Sequence, residues 1–109
     1  MGSSPKEPDL HPLADLDQVI HAPARLMVLT YLYVVDSADY VFLVNITGLS
    51  WGNLATHLGK LEEAGYIAIE KEKRGRKTYS MVHLTPHGRE AFSAYRDQLQ
   101  DVLSGLPEK

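Results

Sequence analysis

At 109 residues and 12.2 kDa the chain suffices for one domain with a buried core, and is too short for a catalytic domain plus a regulatory one. Its 44% hydrophobic and 23% charged residues exclude wholesale disorder, and the absence of cysteine excludes disulfide frameworks and thiolate metal sites. No apolar run approaches the roughly 18 to 20 residues that cross a bilayer, and no charged-then-apolar leader is present, so a cytoplasmic protein without a membrane partner is expected.

Residues 1–12, with three prolines and no apolar period, read as a flexible tail. Leu13, Leu16, Val19 and Ile20 fall at helical spacing and predict a short first helix over 13–20. Pro23 suits the first turn of a second helix, because its fixed φ fits and its missing N–H would be unpaired there. That helix runs to about residue 35, with Leu26, Leu29, Leu32 and Tyr33 facing the core. The stretch 39–49, "DYVFLVNITGL", has strand propensity at Val41, Phe42, Val44 and Ile46. Asp39 as an N-cap, helix-spaced apolar pairs and Gly48 as a stop favour a short helix instead.

Ser50 caps the next helix, 51–64, and Gly65 ends it. At 100° per residue Trp51, Leu54, Leu58 and Leu61 cluster on one side, while Gly52, Asn53, Thr56, Lys60 and Glu63 share the other. "YIAIEKEK" (66–73) and "KTYSMVHL" (77–84) read as strands joined through Arg74, Gly75 and Arg76. Thr85 and Pro86 open a last helix to about residue 103, followed by a short tail, 105–109. The expected class is α+β, mainly α: helix, helix, helix, turn, helix, two-stranded hairpin, helix, within a domain spanning 13–104. Two helices joined by a tight turn and followed by a basic hairpin make a winged helix-turn-helix.

The formal net charge is −3, yet five of the eleven Lys and Arg residues (Lys71, Lys73, Arg74, Arg76, Lys77) lie within positions 71–77, with Glu72 the lone acid among them. An acidic body with one basic projection is an electrostatic footprint for nucleic acid that the total conceals.

The segments "LDQVIHAPARLMVLTYL", "GLSWGNLATHLGKLEEAGYI", "EKEKRGRKTY" and "LTPHGREAF" resemble the small single-domain winged-helix transcriptional regulators of the MarR/ArsR type. The likeness covers about 16–95 and is most specific over 48–66. It implies a homodimer that reads double-stranded DNA, with the helix over 51–64 in the major groove and the hairpin over about 71–79 on the backbone or minor groove. Trp51, Gly52, Asn53, Thr56, His57 and Lys60 match the family's recognition surface, entered from Ser50. Arg74, Gly75, Arg76 and Lys77, with Lys73 beside them, match its wing.

The chemistry of these residues agrees. Asn53 can pair with adenine edges, Thr56 can touch a thymine methyl or a phosphate, and Lys60 and the wing cations can hold phosphates. Gly52 and Gly59 add nothing to hold the helix out of a groove about 12 Å wide. The helix has no arginine, so guanine reading by a guanidinium is less available. The competing readings are an ordinary solvated helix face and an edge hairpin kept soluble by Lys and Arg. Trp51 reads as a partly buried packing residue. His57, bordering the apolar face, is open to a structural role or a phosphate contact, and Arg25 reads as paired with a nearby acid.

Phe92, Tyr95, Leu99, Val102 and Leu106 recur at steps of 3, 4, 3 and 4. Together with Leu13, Leu16 and Ile20 they are the expected dimer interface, from which a palindromic operator with half-sites about one helical turn apart follows. A small-molecule effector pocket involving Tyr31, Tyr33, Phe92 and Tyr95, and a protein-docking module, are the alternatives. His83 and His87 stand at i and i+4, but Thr85-Pro86 breaks the element between them and no third ligand is evident, so no metal and no cofactor are expected. No phosphate-binding loop, nucleophile elbow or paired carboxylates suggest an enzyme.

Overall fold

A computed structural model describes residues 9–107; of the tails expected at 1–12 and 105–109, residues 1–8 and 108–109 lie outside the described residues, and His11 and Pro12 belong to a helical turn. The element order is α1 (His11–Ala14), α2 (Pro23–Val35), β1 (Ser37–Asp39), α3 (Tyr40–Thr47), α4 (Trp51–Glu63), β2 (Ile67–Arg74), β3 (Lys77–Leu84) and α5 (Pro86–Ser104).

The predicted helix over 13–20 is replaced by the single turn of α1 and a structured loop. The cause is Asp17, whose Oδ1 accepts the N–H groups of Val19 and Ile20 at 2.9 and 3.3 Å, giving the backbone a side-chain partner in place of a helical carbonyl. The other Asp17 oxygen accepts from the Tyr66 hydroxyl, pinning this loop to the end of α4. Burial, followed by the bond to Asp17 and its charge, pushes the Tyr66 hydroxyl up to about 12.

In α2, Pro23 occupies the first turn after an extended Ala22, and Val28, Leu29 and Leu32 are buried, with Leu26 and Tyr33 half-buried beside them. Asp36 ends the helix at φ +70°, and its carbonyl accepts the Leu84 N–H at 2.8 Å. That turn delivers the chain into β1, a strand of three residues that pairs Ala38 with Val82. The sheet therefore has three antiparallel strands in the order β1-β3-β2, and the expected two-stranded hairpin is its projecting part.

The ambiguous stretch 39–49 is helical. The Asp39 carboxylate accepts the Val41 N–H at 2.8 Å, and Gly48 closes α3 at φ +70°, its N–H bonded to the Val44 carbonyl. After β3, the Thr85 hydroxyl donates to the Gly65 carbonyl at 2.6 Å and accepts the Gly88 N–H at 2.9 Å, tying the start of α5 to the end of α4. Gly88 lies so close to the Tyr66 backbone that a Cβ there would fall 2.1 Å from the Tyr66 carbonyl oxygen.

One core joins all these elements, and it claims four residues expected between protomers: Leu16, Ile20, Phe92 and Tyr95 are 2%, 0%, 7% and 2% exposed. The first turns of α5 lie against α2, where the Phe92 ring centre is 5.0 Å from that of Tyr33, and the Tyr95 hydroxyl hydrogen-bonds His21 Nδ1 at 2.8 Å. Leu13 and Leu99 pack half-buried against the same core, Val102 is half-buried, and Leu103 and Leu106 are exposed. Among the described residues no helix is long and apolar enough to cross a membrane.

Candidate nucleic-acid interface

Local chemistry fixes α4 at both ends and sorts its faces. Ser50 Oγ accepts the Asn53 N–H at 3.1 Å, satisfying one of the donors that a helix start leaves free. Leu54, Leu58 and Leu61 are buried, while Gly52, Asn53, Thr56, Gly59 and Lys60 are exposed. The Thr56 hydroxyl donates to the Gly52 carbonyl at 3.1 Å, so its lone pairs and methyl group remain for an outside partner. A Cβ at Gly52 or Gly59 would meet nothing within 4 Å.

Trp51, read from the sequence as a partly buried packing residue, is 56% exposed. Its indole stacks on Tyr40 with ring centres 4.9 Å apart and planes 9° from parallel, and the Tyr40 hydroxyl donates to the Trp51 carbonyl at 2.9 Å. Burial raises the pKa of the Tyr40 hydroxyl above its ordinary value. The pair forms a flat platform at the entry to α4.

His57 and Arg25 are coupled. Arg25 does not pair with an acid as expected; its guanidinium donates to the Val19 and Gln18 carbonyls and lies 3.1 Å from His57 Nδ1. Because a guanidinium only donates, Nδ1 must be the lone-pair nitrogen, so His57 is neutral with its proton on Nε2. Desolvation, and then the charges of Arg25 and Lys60, hold its pKa below the usual histidine value.

In the hairpin Arg74 pairs opposite Lys77, leaving Gly75 and Arg76 as the two-residue turn, with Gly75 at φ +66°. A positive φ at the first central position alone is the pattern of a II′ turn, whose twist matches that of the strands it joins. Lys71, Lys73, Arg74, Arg76 and Lys77 are all exposed. Arg74 sits 5.7 Å over the Tyr79 ring and 3.8 Å from Glu72, whereas Arg76 and Lys77 make no ion pair among the described residues.

The helix and hairpin share one cleft: Tyr40 and Trp51 line it from one side, and Lys77, Thr78, Tyr79 and Ser80 from the other. Tyr40, Thr78, Tyr79 and Ser80 are members that the sequence did not mark, since alternation along β3 assigns consecutive residues to opposite faces and so cannot gather all three of its residues. Of the four aromatic residues considered for an effector pocket, Tyr33, Phe92 and Tyr95 adjoin one another in that order. Tyr31 contacts Phe42 across α2 and α3, Tyr33 contacts Phe92, and Phe92 and Tyr95 belong to the core. His87 packs against Tyr66 at 5.2 Å between ring centres, and His83 faces Glu70 and Glu72 across the sheet.

Comparison with known proteins gives this geometry relatives. A family model described as a winged helix DNA-binding domain matches residues 24–103. An uncharacterized protein of Methanocaldococcus jannaschii is 30% identical over 78 residues, covering 72% of this chain and 85% of that protein. Among solved structures, a transcriptional regulator homologue from Pyrococcus horikoshii superposes with a TM-score of 0.81 at 24% identity, over 86% of this chain and 95% of that one. Overoxidized AbfR bound to DNA superposes at 0.68 and 19% identity, over 83% and 65%. With all of α2 to α5 but Pro23 and Ser104 inside the matched span, the chain belongs to the winged helix DNA-binding domain family.

Proposed function

We propose that the chain is a sequence-specific regulator of transcription that binds double-stranded DNA as a homodimer. The carrying observation is a pair of exposed surfaces, the small and polar side of α4 and a hairpin with five cations, of which Trp51 and Lys77 line one shared cleft. In this reading α4 enters the major groove, Asn53 and Thr56 meet base edges, and Lys60 with Lys73, Arg74, Arg76 and Lys77 holds phosphates. AbfR, which shares the fold, is seen on DNA, and this supports the same use of the surface here. No catalytic role is assigned to any residue.

The dimer contact moves outward from where the sequence put it. Since the early α5 residues serve the protomer core, the reading uses Leu103 and Leu106 on the last turns of the chain, 53% and 39% exposed, with Leu10 beside α1, which packs on α5. A two-fold pair joined there would offer two α4 helices to half-sites about one helical turn apart. Selection of bound duplexes from a random pool tests the proposal. Recovery of a palindrome with that spacing is expected, and recovery of unselected sequence would refute sequence-specific regulation.

A protein-docking module is the second reading, favoured by the apolar cleft between α2 and α3 where Met27, Val34 and Ile46 are exposed. It predicts that the hairpin cations are dispensable for the partner interaction.

A further inference from the structure

The outer face of the sheet carries a cluster that DNA contact does not use. Side chains of β2 alternate, so Ile67 and Ile69 turn to the core while Glu70 and Glu72 stand on the opposite face. His83 of β3 pairs opposite Ala68 and shares that face. Its Nε2 atom is buried and makes no hydrogen bond among the described residues. Two carboxylate oxygens stand off from it instead, Glu72 Oε1 at 3.4 Å and Glu70 Oε2 at 3.9 Å, and the three atoms all lie within 4.8 Å of one another.

A buried nitrogen without a partner is costly, and two carboxylates gathered at one point repel each other. A divalent cation removes both costs together. Zinc bonds of about 2.0 to 2.2 Å at tetrahedral angles put donor atoms about 3.3 to 3.6 Å apart, so the His83 to Glu72 separation already fits and the exposed Glu70 has to move in by about an ångström at most. The imidazole donor selects a zinc-class ion over calcium or magnesium, which take oxygen ligands. Water would complete the coordination.

Glu72 links this cluster to the DNA-facing surface, because its other oxygen, Oε2, lies 3.8 Å from Arg74 Nη2. We propose that Glu70, Glu72 and His83 form a site for a zinc-class divalent cation, and that the cation, by engaging Glu72, releases Arg74 for a phosphate. The second half rests on the DNA-binding reading; the first does not.

The test uses the full chain, freed of metal by chelation and titrated with zinc chloride in a calorimeter. One zinc per chain is expected, weakened at least about tenfold by H83N and by E72Q and unaffected by H87N. Absence of binding, or equal binding by H83N, would overturn the site. If H83N loses its circular dichroism signature, E70Q at an exposed position carries the same comparison. For the coupling, affinity for a random-sequence duplex is measured with and without zinc. Zinc should tighten binding severalfold, and E72Q without zinc should match the zinc-loaded parent. An affinity indifferent to zinc would overturn the coupling. Failure to bind any duplex would instead sink the regulator reading, and the zinc titration would still decide the site.

Discussion

Replacing Arg74, Arg76 and Lys77 together by alanine tests the electrostatic part of the proposed function most directly. These three close the hairpin turn and flank it, all are exposed, and Arg74 alone has an acidic neighbour, so the fold gains little from their charges. Exposed substitutions of this kind change stability by about 0.5 kcal/mol or less. Binding is another matter. A dimer loses six cations, and each phosphate contact contributes about 0.9 to the slope of log affinity against log salt, so the slope falls by about 5. With six to ten contacts the parent should lose about 10³ to 10⁵ in affinity between about 50 and 200 mM salt, whereas the variant should lose about a hundredfold at most. Fluorescence anisotropy of a labelled duplex across that range reads both slopes. Parallel lines for parent and variant would refute the assignment of the hairpin to phosphates, whatever their vertical offset.

Gly88→Ala places a methyl carbon against the Tyr66 carbonyl, where only backbone could yield, so a loss at or above the roughly 3 kcal/mol end of overpacking is expected, seen as a fall in Tm of about 10 °C or more. Gly59→Ala has the opposite sign, stabilising α4 by about 0.5 to 1 kcal/mol in urea denaturation because the new methyl meets open space, while weakening duplex binding. The pKa of His57 is lowered by folding, so below about 6.5 the unfolded chain binds more protons and stability falls as pH drops, its contribution being whole above that value. His57→Gln should flatten this part of the stability curve between about pH 7 and 5 relative to the parent. Leu103 and Leu106 both changed to Asp should turn a dimer into a folded monomer in analytical ultracentrifugation; an unchanged sedimentation coefficient would remove the terminal turns from the interface.

Elements whose signals are local were legible. Ser50, Thr85, Asp39 and Gly48 cap helices through contacts within three or four residues, and each does in the structure what its type and position imply. The buried stripe of Leu54, Leu58 and Leu61 follows from helical period alone. What escaped depends on partners distant in sequence or on competition within a turn. Leu16 and Ile20 have helical spacing and are buried as that suggests, but Asp17 takes the backbone donors a helix would need. The three residues of β1 carry no alternation long enough to read, and exist because β3 offers an edge. Period marks Phe92 and Tyr95 as apolar-facing without saying whether the surface they face is the chain's own or a partner's, and the core answers that. The carboxylates that face His83 lie on the neighbouring strand, at Glu70 and Glu72, where only the pairing of β2 with β3 reveals them, and His87 is not part of that cluster.

The glycines of α4 separate what folding requires from what it does not. Gly48 and Gly75 occupy positive φ, and Gly88 a contact no side chain could share, so the protomer explains all three. Gly52 and Gly59 are helical, exposed and surrounded by open space, and at Gly59, in the interior of the helix, alanine would be better by roughly 0.5 to 1 kcal/mol. A helix that gives up this stability on its outward side, beside a threonine whose hydroxyl is turned back onto the Gly52 carbonyl, presents a surface lower and smoother than solvation needs. In the proposed function, close approach to duplex DNA supplies the missing reason. A groove lined by base edges and rimmed by phosphates fits the chemistry of Asn53 and Lys60 on the same helix, and it fits the exposed cations of the hairpin.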